Sequence, residues 1–143
     1  MRELNIGSKR FTKVVAVDEK GAGNANHKYY VMPTESEFVG LGMTTYCEVE
    51  FQNGAIKENR INGIHNEDLI AIVIDRLQGF QDGDFACREN ALALTKLEEA
   101  LLWLNKRTND RINRGVEGTA EPVTVASTNE RMKLARRVIR YKK

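Results

Sequence analysis

Two cysteines and two histidines in 143 residues leave little from which to build a disulfide or metal framework. Cys47 and Cys87 have no ligand histidines beside them, and no CxxC or HxxxH spacing occurs, so both read as free thiols serving as small buried apolar groups. No apolar run approaches the roughly 20 residues that a membrane-spanning helix needs. Residues 1–10 are polar, without the apolar core and cleavage site of a secretory signal, which leads us to expect a cytoplasmic protein. His27 and His65 fall in loop-like stretches, and no nucleophile is spaced beside a base. The expectation is therefore no catalytic residue, no metal ligand and no cofactor, which points to binding rather than turnover.

Apolar residues make up 41% of the chain and charged residues 29%, ordinary proportions for one compact domain. The net charge of +2 is unevenly spread. Residues 127–143 hold seven basic side chains against Glu130, for +6, and the first 126 residues carry −4. We expect a domain over residues 1–119 and a basic extension over 120–143. Such an extension suits phosphate contacts to a nucleic acid or simple solubilisation, but only Tyr141 is there to stack on bases. A small oligomeric nucleic-acid-binding protein using this tail is the alternative to a small-molecule binder.

The first half has β character. Phe11 to Asp18 and Tyr29 to Met32 read as strands of a hairpin whose loop, Glu19 to Lys28, carries Gly21 and Gly23. Thr44 to Phe51 alternates, with Tyr46, Glu48 and Glu50 on one face and Cys47, Val49 and Phe51 on the other. Asn53-Gly54 is a strong hairpin turn signal, which makes Ala55 to Ile61 the expected returning strand. The sheet should thus occupy about residues 11–61. Asn62-Gly63 turns the chain again, and Asn66 before Glu67 and Asp68 marks a capped helix start.

Leu69, Ile70, Val73, Ile74 and Leu77 then cover a broad helical face as far as Gly79. After a break at residues 78–83, Leu94, Leu97, Leu101 and Leu104 step by three, four and three along a second, longer helix. The fold class is therefore α+β, an N-terminal antiparallel sheet followed by a two-helix antiparallel hairpin over about residues 66–114. Its apolar side is expected to lean on the sheet. Continued by the same rule, the leucine seam meets Asn90 at one end and Thr108 and Arg111 at the other. Arg107, Arg111 and Arg114 are spaced to share one phosphate or pyrophosphate, or else to sit as solvated cations at the negative pole of the helix. Gly115 to Thr119 supplies the stop. A long helix bearing leucines and Trp103 invites another subunit, hence a homodimer or higher oligomer.

The segments GAGNANHKYYVM (21–32), FQNGAIKE (51–58), FQDGDFACRENALALTKLEEALLWLNKRT (80–108) and DRINRGVEGT (110–119) together resemble the phage Thoeris anti-defence sponge proteins of the first type. A shared hairpin domain links that family to the phage anti-CBASS sponges. The resemblance implies a non-enzymatic protein of the infected host's cytoplasm that sequesters a cyclic ADP-ribose isomer, glycocyclic ADP-ribose, without cleaving it. It implies ligand contacts from Phe80 and Asn90 near the hairpin turn and from Arg107 and Arg111 on the far arm, contributed by adjacent subunits. Phe80 would stack on the adenine, Asn90 would bond base or ribose, and the arginines would neutralise the pyrophosphate. A second site for cyclic di- or trinucleotides, near Lys57 to Asn59, is a further implication.

Overall fold

The computed structural model describes residues 1–34 and 45–121. The basic segment 127–143 and Thr44 lie outside the described residues. Four strands, β1 (Arg2–Glu3), β2 (Thr12–Ala16), β3 (Lys28–Pro33) and β4 (Cys47–Glu50), form an antiparallel sheet in chain order. A short helix α1 (Ile56–Asn59) precedes the two long ones, α2 (Asn66–Gln81) and α3 (Arg88–Asn113). The α+β class, sheet first and helical hairpin after, is as the sequence predicts. Strand β1 is an addition, because two residues are too few to show an alternation.

Register divides the sheet into two unlike faces. Val14 pairs with Val31, and Tyr29 with Val49, so these share one apolar face. Lys28 pairs with Glu50, and Tyr30 with Glu48, on the other. There the Lys28 ammonium lies 2.6 Å from Glu48 and 2.7 Å from Glu50, which raises the lysine pKa and lowers that of Glu48. The β2–β3 loop is closed by its own polar groups: Asp18 Oδ2 accepts from the His27 N–H at 2.7 Å, and Asn26 Nδ2 donates to the Asp18 carbonyl at 2.7 Å. The His27 N–H is the main cause of a lowered Asp18 pKa. A carboxylate so held contributes stability that is present above its ordinary value of 3.8 and lost as pH falls through its lower folded value. Asp18→Asn is therefore expected to flatten the acid limb of a melting-temperature profile below pH 4, and a superimposable limb would show that Asp18 contributes nothing there.

Ala55 to Ile61 is not a strand, which corrects the expected hairpin return. Gly54, at φ +82°, does turn the chain, but α1 comes next. Side chains supply the bonds that a ladder would have made. Gln52 Nε2 donates to the carbonyls of Gly54 and Arg60, its Oε1 accepts from the Asn62 N–H, and Asn62 bonds both backbone groups of Asn53. Ala55, Lys57 and Glu58 are also better helix than strand formers. Phe51 instead bridges in parallel to Ile64, with Gln52 N–H donating to Ile64 O at 2.8 Å and Ile64 N–H to Glu50 O at 2.9 Å.

Helix α2 starts at Asn66 itself, so its cap falls one residue before the expected one. His65 is the N-cap, and Asp68 Oδ2 accepts its N–H at 2.8 Å. Helix α2 also runs past Gly79 to Gln81, so the break comes at Asp82. Both cysteines are exposed, not buried; Cys87 caps α3 by accepting the Asn90 N–H at 3.4 Å. Asn90, Leu94, Leu97, Leu101, Leu104, Thr108 and Arg111 are the less exposed stripe of α3, and Arg114 with Gly115 at φ +70° ends it.

The helices pack on one another, and neither lies along the sheet, which corrects the expected leaning arrangement. Periodicity showed that a face was apolar but not its covering partner. With 26 residues against 16, α3 outruns α2 by about 15 Å at 1.5 Å per residue. That overhang, which holds Arg107 and Arg111, reaches back toward the apolar face of the sheet. Among the described residues the buried apolar side chains are Val15, Ala16 and Pro33, and Ile72, Leu102 and Trp103 are about 60% exposed. This much open apolar surface is what an interface presents.

Candidate functional site

The overhang and the sheet enclose a cavity of about 1070 Å³, ample for a dinucleotide-sized ligand. Its sheet wall is Val14, Tyr29, Val31, Val49 and Phe51, with the Tyr29 and Phe51 rings edge to face at 5.7 Å. Asn26 and His27 supply polar groups from the β2–β3 loop, and His27 Nδ1 is buried without a hydrogen-bond partner among the described residues. The opposite wall is Arg107, Thr108 and Arg111 of α3 with Glu117 to Glu121 of the next loop. An apolar face opposed by a wall of mixed charge, Arg107 and Arg111 with Glu117 and Glu121, can hold a base on one side and offer a cation to an anion on the other.

The three arginines do not converge as their spacing suggested. Arg111 lies on the seam itself and is 7% exposed. Its Nε donates to Glu117 Oε2 at 2.9 Å, and its terminal nitrogens donate to the carbonyls of Val116, Thr119 and Glu121 at 2.8–2.9 Å. Arg114 is exposed and donates to the Asp110 carbonyl of its own helix at 3.4 Å. Arg107 is exposed at the cavity and donates to no group among the described residues. Loss of Arg111 should therefore cost stability as well as charge, because its side chain holds together a stretch of irregular backbone.

Phe80 and Asn90 meet at the other end of the hairpin. The Phe80 ring stands edge to face with Phe85 at 6.0 Å, and the Arg76 guanidinium lies 4.8 Å above it. Asn90 Nδ2 donates to the Phe85 carbonyl at 3.2 Å, and its Oδ1 accepts no bond among the described residues. Sequence reading missed Arg76, although its spacing of four from Phe80 was the available signal. It also missed Glu117, whose part depends on a tertiary contact. Asn90 and Arg107 are seventeen residues apart on one helix, about 25 Å. A single protomer cannot bring them to one small ligand. Among the described residues, no group of three or more His, Cys, Asp or Glu is placed to hold a metal ion.

Residues 43–109 match the family model of the Acb2/Tad1 hairpin domain, which takes in β4, α2, the Phe80–Asn90 tip and α3 as far as Asn109. A protein of Bacillus phage SBSphiJ7 named Thoeris anti-defense 1 is 47% identical over 141 residues, covering 85% of this chain and 99% of the relative. With the hairpin matched by its domain model and 47% identity to that relative over 85% of its own length, the chain belongs to the Thoeris anti-defense 1 family.

Proposed function

We propose that this chain is a phage anti-Thoeris protein that sequesters glycocyclic ADP-ribose, uncleaved, in sites shared between the subunits of a homo-oligomer in the host cytoplasm. The separation of the hairpin tip from the arginine end carries this reading. Phe80 and Asn90 offer a base platform and an amide at one end of the hairpin, and Arg107 offers a cation uncommitted among the described residues at the other. These groups suit the adenine and the pyrophosphate of a cyclic ADP-ribose isomer, but only where the tip of one copy meets the cavity of another. Arg111 stands in the cavity wall behind Arg107, its four bonds holding residues 116–121 in place. The open apolar faces of the hairpin support assembly. The Lys57 to Asn59 turn, also beside the cavity, is where cyclic di- or trinucleotides of CBASS would be sought.

Calorimetric titration of the full chain with glycocyclic ADP-ribose tests the proposal, with heat denaturation and chromatography of the released material as the second step. Tight binding with intact ligand recovered is expected; for a sponge holding its signal at a Kd near 1 nM the standard free energy of binding is about −12 kcal/mol. Absence of binding would overturn the ligand assignment, and a chemically altered product would overturn the non-enzymatic one.

A further inference from the structure

We infer that Arg111 is a positioning residue: it ties residues 116–121 into a strap that forms one wall of the cavity, and it acts on ligand affinity through that strap, leaving the anion contact to Arg107. This rests on the reading of the cavity as half of a ligand site. Four of the five guanidinium N–H groups are spent on Val116, Glu117, Thr119 and Glu121. These residues form no strand or helix, so their carbonyls depend on such a donor. The strap is fixed at two further points. Thr119 Oγ1 donates to the Val116 carbonyl at 2.6 Å, and the Lys57 N–H donates to the Gly118 carbonyl at 2.9 Å. One buried cation thereby joins the end of α3 to the α1 turn across the cavity mouth. To grip a pyrophosphate as well, Arg111 would have to release a carboxylate 2.9 Å away and three carbonyls. Arg107, one helical turn earlier, has none of these to give up.

The two roles differ in sign at Glu117. If Arg111 grips the ligand, Glu117→Ala frees the guanidinium and removes a negative charge from an anion site, so affinity holds or rises. If Arg111 positions the strap, the same change loosens it and affinity falls. Glycocyclic ADP-ribose titrated into the parent, Glu117→Ala, Arg111→Ala and the double variant decides between them. We expect Glu117→Ala to weaken binding about fivefold or more, and the double variant to bind little worse than Arg111→Ala, as for two residues acting as one unit. Unchanged or tighter binding by Glu117→Ala, or losses that multiply in the double variant, overturns the positioning role. Should Arg111→Ala fail to fold, Gly118→Ala takes its place. Its φ of +74° and a new Cβ 3.3 Å from Lys57 Cγ disturb the strap without touching the guanidinium. Weaker binding by that variant is expected, and parental affinity overturns the inference. A parent that does not bind overturns the functional reading and this role with it, whereas a binding parent with an indifferent Glu117→Ala overturns this role alone.

Discussion

A mixture of Phe80→Ala and Arg107→Ala proteins is expected to bind glycocyclic ADP-ribose, at a fraction of its sites, more tightly than either variant does alone. Loss of Arg107 removes the cavity's one uncommitted guanidinium among the described residues, and removing one member of a charge-assisted contact costs about 2–5 kcal/mol, thirtyfold and upward in affinity. Loss of Phe80 removes a stacking platform worth about 1–3 kcal/mol. Each variant damages one half of the proposed site. About 25 Å of helix separates Asn90, beside Phe80, from Arg107, so the halves that meet at one ligand belong to different copies. After subunits exchange in an equal mixture, about a quarter of the sites combine an intact tip with an intact cavity, and calorimetry should recover about that fraction of the parental stoichiometry. The affinity of those sites should equal the parent's. Mixing that restores nothing, in a sample shown to have exchanged, would mean that both residues act within one protomer or that one of them is not in the site. Because the measurement counts sites, a general loss of stability in either variant cannot imitate the expected recovery.

How much of this was legible in the chain depends on the range of the physics involved. The leucine steps from Leu94 to Leu104 and the glycine stop at Gly115 are local, and α3 ends where they place its end. Alternation found β4, and the glycines marked the β2–β3 loop, though not the Asp18 bonds that close it. Residues 55–61 misled because Asn53-Gly54 encodes a turn without encoding the conformation of the residues after it. The outcome there rests on Gln52 and Asn62 side chains bonding across nine or ten residues. Arg111 was visible twice, on the seam and in the arginine row. Only the fold-back of residues 116–121 shows that the seam position prevails, since a buried guanidinium needs partners and those carbonyls supply them. Spacing of four could have paired Arg76 with Phe80, and no periodicity could have shown that the hairpin stands clear of the sheet.

That last property places weight on the two points that join sheet to hairpin, the Phe51–Ile64 bridge and the Lys57–Gly118 bond, and Gly63→Ala is expected to break the first. The bridge from Phe51 to Ile64 brings two main chains together at Gly63. A Cβ there would meet the Phe51 carbonyl carbon and would lie 2.6 Å from both Gln52 N and Phe51 O. The obstacle is backbone, which cannot swing aside as a side chain can. The two bonds joining Ile64 to Glu50 and Gln52 must stretch, and the His65–Asp68 cap at the start of α2 is displaced with them. We expect a loss of about 2–4 kcal/mol, and for a chain of this size a fall in Tm on the order of 10 °C. Gly79→Ala provides the contrast, because Gly79 lies inside α2 with nothing within 4 Å of an added Cβ. There the same substitution removes a helix-weakening residue and should stabilise by about 0.5–1 kcal/mol. Thermal melts of the two variants should therefore move in opposite directions from the parent. A Gly63→Ala protein melting with the parent would show that sheet and hairpin are not held at this bridge. Ligand affinity should track the same order, since the cavity has one wall on each side of the connection: intact in Gly79→Ala, and lost in Gly63→Ala even below its melting temperature.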